Sequence, residues 1–513
     1  MASLRRNTIA NYIGRGWIGL MGLAFLPLYA AVLGPESYGL IGAFSILQAW
    51  ALLFDFGLTP TLNREMARSL GDAHTPTSIH ELLRTFEVTI ASIAVLVAIS
   101  IAIASPWLAK NWLQPRTISV EVVAAATALM GLAIALRWME QVYRAALQGL
   151  HDQLWLNGAQ IILETVRWGG AYIVVRFLVS TVIGFFAWQA VVSLLSIPIW
   201  AWRTSTRLPP NAKPVRFRFA HLKNVRAFAT GMFWSSLLTF GLTQIDKVVV
   251  AKSLPLSDFG FYMLAAMAAN GLLQLITPMT TAIFPRLAAQ VAQGHSDEAG
   301  RTMVLAAQLL AVVLVPFAAV MIVMPESVML LWTDNPVTTA NTRLLLAVLA
   351  SATLANGFMN MPYMLQLAHG WTSLSIITNT IAIAIVVPGV LVSIPRYGSV
   401  GAAVFFLALN IGYILFVAPI LFRRLAPSLL LPWYVRAVLL PLVGGVLPVL
   451  LVRAAMPPPT TRFEAGIIVV ITGALAALGS ISVTAPARHR LIALVRQTVS
   501  RWRIRTRDQT EAS

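Results

Sequence analysis

The sequence predicts an all-α, polytopic membrane protein of about 14 transmembrane helices, arranged as two pseudo-symmetric six-helix lobes plus two extra C-terminal helices. Three observations carry this reading. Of the 513 residues, 58% are hydrophobic and only 11% charged, whereas soluble domains carry roughly 25% charged residues. Apolar runs of about 20 residues, the length a helix needs to cross the hydrocarbon core, recur along the chain. A short pattern also repeats: LGPESYGL at Leu33–Leu40 returns as LPLSDFGF at Leu254–Phe261, an offset of 221 residues.

The spans are expected near 11–33, 37–59, 86–108, 120–146, 155–175, 178–201, 228–251, 260–283, 303–325, 344–366, 372–394, 399–421, 436–454 and 464–484. The first follows Arg5 and Arg6 and is read as a retained helix rather than a cleaved signal, since many spans follow it. These spans divide the chain into an N-terminal lobe over 1–202, a basic cytoplasmic linker over 203–227, a C-terminal lobe over 228–424, two additional helices over 425–486 and a tail over 487–513.

An even number of spans puts both termini on one side, and the basic residues choose the side. With the termini inside, 25 Lys or Arg are cytoplasmic and 8 external, the bias of an inner-membrane protein with a cytoplasmic N-terminus. The net charge of +18 would suggest nucleic acid on a soluble chain. Here the charge lies mostly between spans, where it sets topology and meets anionic phospholipids at the basic linker and the tail. In the tail, Leu491, Val495, Val499 and Trp502 recur at helical spacing among arginines, the pattern of an amphipathic membrane-surface helix. There is no cysteine, so no disulfide or cysteine metal site.

In the repeat, Tyr38-Gly39 matches Phe259-Gly260, and six spans separate the copies, so both have the same orientation. Parallel repeats are a transporter device in which two bundles rock around a midplane site.

These segments also carry a family resemblance. LGPESYGL, DFGLTPTLNRE from Asp55, ALQGLHDQLWLN from Ala146, QIDKVVVAKSLPLSDFGFYMLAA from Gln244 and RYGSVGAA from Arg396 together resemble a Wzx-type polysaccharide flippase of the MATE/MOP exporter superfamily. The resemblance covers roughly the first twelve spans. It implies two six-helix lobes around a central cavity, and a polyprenyl-diphosphate-linked oligosaccharide moved to the outer leaflet for O-antigen or exopolysaccharide synthesis. It also brings the polymerase and chain-length regulator of such a pathway into view as partners.

Charged residues within spans are costly, roughly 2.5–3.5 kcal/mol each at mid-membrane, and usually face a cavity or a partner. Span four carries Arg137, Glu140 and Arg144 on one helical face, and span five carries Glu164 and Arg167. Arg15 and Asp55 lie toward the cytoplasmic ends of spans one and two. Arg15, Arg137, Arg144 and Arg167 are expected to line the cavity and neutralise the diphosphate, which arginine can grip with paired hydrogen bonds. Asp55, Glu140 and Glu164 are expected as gate or paired acids; the alternative is that Arg137–Glu140 and Arg167–Glu164 pairs simply hold helices together. Asp246 and Lys247 on span seven are the candidates for coupling to H+ or Na+. No other cofactor and no metal is expected.

Gln160, Gln189, Gln244, Gln274, Asn356, Asn360, Asn379 and Asn410 lie within spans, where amides more often join helices than bind sugars. Pro278, Pro316, Pro362 and Pro388 interrupt spans of the second half and are candidate kinks. All seven histidines fall between spans or in the tail. The short external loops offer no constellation for a membrane glycosyltransferase or polymerase, and no phosphate-cradling GxxxxGK[ST] run is present. The chain is therefore read as a transporter rather than an enzyme. A peptidoglycan lipid II-type flippase and a cation-coupled small-molecule exporter stay open as alternatives.

Overall fold

In a computed structural model of the chain, residues 2–69, 75–211, 213–223 and 247–485 are described, with the isolated positions 230, 233, 237 and 244; for 2–13, 15, 30 and 51–53 only the backbone is. The secondary structure of the described residues is helical, joined by short irregular connections, with no strand. They include ten helical stretches long and apolar enough to cross a membrane, one of which, Thr372–Leu425, is 54 residues long. The chain separates into two compact units, Met1–Leu264 with Val387–Ala402, and Ala265–Val386 with Ala403–Ser513.

In the first unit the helices are α1 (Ala2–Leu33), α2 (Glu36–Phe54), α3 (Leu58–Arg68), α4 (Pro76–Leu108), α5 (Val120–Gly149), α6 (Gln153–Ile173), α7 (Val182–Arg207) and the start of α8 (Leu256–Asn270). Their starts are written locally. The side chains of Thr75, Ser119 and Thr181 each accept a backbone N–H of the first turn. The second span ends earlier than expected, at Phe54, because Phe56 and Gly57 take positive φ and turn the chain into the separate amphipathic helix α3. α5 is the centre of this unit: it packs on α4, α7 and α3, while α1 packs on α6. Val95, Leu96, Ile99, Ile103 and Trp107 of α4 stay exposed, an apolar face suited to lipid rather than water.

Two loops expected on the same side of the membrane meet at Glu36. Its carboxylate accepts the backbone N–H groups of Arg116 (2.8 Å), Thr117 (3.0 Å) and Ile118 (3.0 Å). Burial alone would raise the pKa of this carboxyl, but the three N–H groups outweigh it and hold it below the usual glutamate range. Glu36→Gln keeps the shape but loses the charge and one acceptor, and should cost about 1–3 kcal/mol at neutral pH. A lowered folded-state pKa stabilises above the unfolded value and is lost as pH falls through the folded one. The difference in melting temperature between wild type and Glu36→Gln should therefore be full at pH 7 and shrink below about pH 4; an unchanged difference in acid would refute the assignment.

On the opposite loops, Asp152 accepts from Arg203 Nε (2.8 Å) and Arg207 Nε (2.9 Å), and Arg218 Nε pairs with Glu81 (2.9 Å). Part of the basic linker is thus bound to specific carboxylates of the chain itself.

The second unit contains the end of α8, then α9 (Leu273–Ala292), α10 (Ser296–Val323), the short α11 (Pro325–Thr333), α12 (Pro336–Ala368), most of α13 (Thr372–Gly412), α14 (Ala418–Leu425), α15 (Leu430–Trp433), α16 (Leu440–Ala455) and α17 (Arg462–Val483). The prolines at 278, 316, 362 and 388 all lie inside continuous helices. The expected break between spans eleven and twelve is a single residue: Gly398 has φ 56° and ψ −146°, a conformation open only to glycine, and a Cβ on Gly401 would touch Ser393. α16 and α17 cross at Gly444 and Gly479, whose backbones meet directly, the small-residue contact that lets membrane helices approach without side chains between them. Arg453 and Arg343 both pair with Glu326 in the first turn of α11.

Candidate functional site

The site grows from α5. Arg137, Glu140, Gln141 and Arg144 lie within two turns on one side of that helix, facing α2 and α6. Between these helices is a cavity of 340 Å³ whose polar lining is Ser45 and Gln48 of α2, Arg137, Glu140, Gln141 and Arg144 of α5, and Glu164 and Arg167 of α6. That volume is at the lower end of the range for ligand pockets, about 300–1,000 Å³.

The three arginines have different fates. Arg167 is 2% exposed. Its Nη2 donates to Glu140 (2.8 Å) and Ser193 (3.3 Å), and its Nη1 to Glu164. Its Nε is buried without a partner. This side chain bridges α5, α6 and α7 as the middle of a buried ion triad. Arg137 does not pair with Glu140, the helix-holding alternative read from their spacing. It donates to Gln189 Oε1 at 2.8 Å, lies 5.3 Å from the centre of the Phe44 ring, and keeps a buried Nε without a partner. Arg144, with the oxygen of Gln160 turned toward it, donates from Nε at 2.8 Å. Arg137 and Arg144 are thus held by neutral partners, not by carboxylates. With two glutamates against three arginines, the cluster retains one net positive charge, on the side of the cavity where those two sit.

The remaining expected site residues lie elsewhere. Asp55 is buried and accepts from the backbone N–H (3.0 Å) and hydroxyl (2.6 Å) of Thr59, so it caps α3. The side chain of Arg15, expected at the cavity, lies outside the described residues, as do Asp246 and the tail 487–513. Lys247 is half-buried at the start of the described stretch before α8. Of the intramembrane amides, Asn356 donates to Asn410 (3.0 Å), which joins α12 to α13, Asn379 accepts from Tyr413 (3.0 Å), and Asn360 donates to the Asn356 carbonyl (3.0 Å) within α12. Ser45, Gln48 and Gln141 were not singled out by sequence reasoning. The signal that could have found them is the polar i, i+3 pair in an otherwise apolar α2. Among the described residues no group of acids and histidines could hold a metal ion.

Fold and site together define a multi-pass helical membrane protein with a polar, arginine-bearing cavity in its first unit, the make-up of a transport protein. The chain belongs to the polysaccharide biosynthesis protein family, whose model matches residues 4–290. That match takes in every motif of the resemblance except RYGSVGAA. A candidate O-antigen transporter of Shigella flexneri is 22% identical over 285 residues, covering 56% of this chain and 66% of that relative, just under two thirds of its length. Among solved structures, the lipid II flippase MurJ in an inward closed conformation superposes with a TM-score of 0.69 at 12% identity, over 93% of this chain and 98% of that one. An inward-facing multidrug resistance MATE transporter of the MOP superfamily gives 0.64 at 15% identity, over 80% and 96%. A MOP superfamily transporter from Pyrococcus furiosus gives 0.55 at 15% identity, over 85% and 95%. At such identities the likeness is one of fold. The chain has the MOP-type fold, and the resemblance to Wzx-type flippases read from its motifs agrees with both family and fold.

Proposed function

We propose that this protein translocates a polyprenyl-diphosphate-linked oligosaccharide from the cytoplasmic to the outer leaflet of the bacterial inner membrane, by alternating access, with both termini cytoplasmic. The observation that carries the reading is the state of Arg137 and Arg144. Both line the cavity; Arg137 donates to the neutral amide of Gln189, and Arg144 lies against the neutral amide of Gln160, whose oxygen accepts from it once turned toward it. A guanidinium not neutralised by a carboxylate is suited to a diphosphate, which offers charged acceptors in a geometry that arginine matches. Membership of the polysaccharide biosynthesis family supports the lipid-linked glycan as cargo. An exporter of cationic drugs would be served by an excess of acids, whereas this cluster has an excess of arginine. The lipid tail can remain in the bilayer while the headgroup crosses.

The test is polymer export at equal protein level. Charge-assisted hydrogen bonds contribute about 1.5–3 kcal/mol each, so Arg137→Ala and Arg144→Ala should each lower export roughly tenfold to a hundredfold. Lysine at either position should restore only part, because it keeps the charge but not the fork. Normal export from both alanine variants would reject the headgroup site.

A further inference from the structure

Beside the arginine cavity lies a second pocket, of 320 Å³, enclosed by α1, α3, α5 and α6. Its polar lining is almost wholly carboxamide: Asn63, Gln141, Gln148, Gln153, Asn157 and Gln160, with no acid among the lining residues. We propose that this pocket is a carbohydrate subsite, which takes the neutral sugar joined to the diphosphate. The proposal rests on the headgroup reading above and adds to it where the glycan is gripped.

Three observations converge on it. First, the side-chain amides of Asn63, Gln141 and Gln148 make no hydrogen bond to any described residue. Asn356 and Asn410 of the second unit, by contrast, bond to each other and Asn379 to a tyrosine, as membrane amides usually do. An amide offers donors and an acceptor at once, which is what a sugar hydroxyl requires, and it adds no charge. Gln153 and Asn157 are held in place on the far wall, Asn157 by its bond to the Gln153 carbonyl (2.7 Å).

Second, the walls are brought together by glycines at points of close approach. A Cβ on Gly149 would strike the Asn63 carbonyl and lie 2.7 Å from Met66 Cβ, and one on Gly14 would strike the Asn157 side chain. The motifs DFGLTPTLNRE and ALQGLHDQLWLN, which carried the family resemblance, supply Asn63, Gln148, Gly149, Gln153 and Asn157. Third, Gln141 and Arg144 line both pockets. In a diphosphate-linked glycan the first sugar is bonded directly to the phosphate, so its subsite must adjoin the anion site, as this one does.

The experiment compares the affinity of the purified full-length protein for three probes: polyprenyl diphosphate without sugar, and the same lipid carrying one N-acetylglucosamine or one galactose. Wild type should bind at least one glycosylated probe about tenfold more tightly than the bare lipid. Gln148→Leu, at an exposed position, and Asn63→Leu should bring that preference within about twofold while leaving the bare lipid's affinity unchanged. Arg137→Ala should weaken all three probes. Equal binding of bare and glycosylated lipids by wild type, or a preference that survives both leucine variants in folded protein, overturns the subsite and leaves the headgroup site standing. Bare-lipid affinity unaffected by Arg137→Ala overturns the headgroup site itself. Failure of wild type to bind any probe overturns both.

Discussion

Replacing Arg167 with alanine is expected to cost about 3–5 kcal/mol of stability, because it strands buried glutamates without their counter-charge. Glu140 is 2% exposed, and the Glu164 side chain is 15% exposed. Both lose their nearest counter-charge when the guanidinium is gone, and Glu140 in particular has little contact with solvent. The same principle predicts a rescue. Where a buried ion group is replaced as a whole by neutral residues of similar volume, the desolvation cost disappears along with the attraction, and the exchange is often close to neutral. Arg167→Met combined with Glu140→Gln and Glu164→Gln should therefore recover most of the lost stability, measured by thermal melting of the purified protein. If Arg167→Ala melts like wild type but fails in export, Arg167 is a substrate contact rather than a structural cation.

The second large effect is expected at the repeat. A Cβ on Gly39 would strike the Leu256 carbonyl and lie 2.5 Å from Leu256 Cδ1. A Cβ on Gly260 would lie 2.7 Å from the Pro35 carbonyl and 2.9 Å from the Gly39 nitrogen. The two copies of the repeated motif thus pack on each other, glycine against backbone, with Gly42 against Met263 one turn further on. The obstacles are main-chain atoms, which cannot rotate away as a side chain could. Gly39→Val or Gly260→Val should cost about 2–3 kcal/mol or more, the upper part of the range for overpacking. Gly473→Ala is the control: nothing lies within 4 Å of its Cβ position, and inside α17 alanine should be neutral or stabilising by up to about 1 kcal/mol. Equal melting of Gly260→Val and Gly473→Ala would show that the crossing is not tight.

Much of this protein could be read without coordinates. Apolar runs placed helices at nearly every expected span, and the Pro395–Gly398 stretch marked the turn in what is otherwise one long helix. The repeat identified Gly39 and Gly260 as equivalent; only the structure revealed that they meet. Boundaries were missed where one residue decides the backbone. Phe56 and Gly57 at positive φ split α3 from α2, and a run of hydropathy does not register a single dihedral.

The charged cluster shows the limit more sharply. Spacing put Arg137, Glu140 and Arg144 on one face of α5 and placed Glu164 near Arg167, and those facts follow from the helical period alone. Which arginine is paired with carboxylates and which is left to neutral amides depends on how α2, α6 and α7 are rotated about their own axes. Residues from different helices set that rotation jointly: Gln189 and Ser193 on α7, Gln160 on α6, Phe44 on α2. No local pattern contains that information. The sequence by itself therefore determined the solvent, the helices and the presence of a buried cationic cluster. The tertiary structure alone decided that, around one cavity, Arg167 is paired with two carboxylates while Arg137 and Arg144 face neutral amides, because pairing between helices is fixed by packing and not by spacing along a chain.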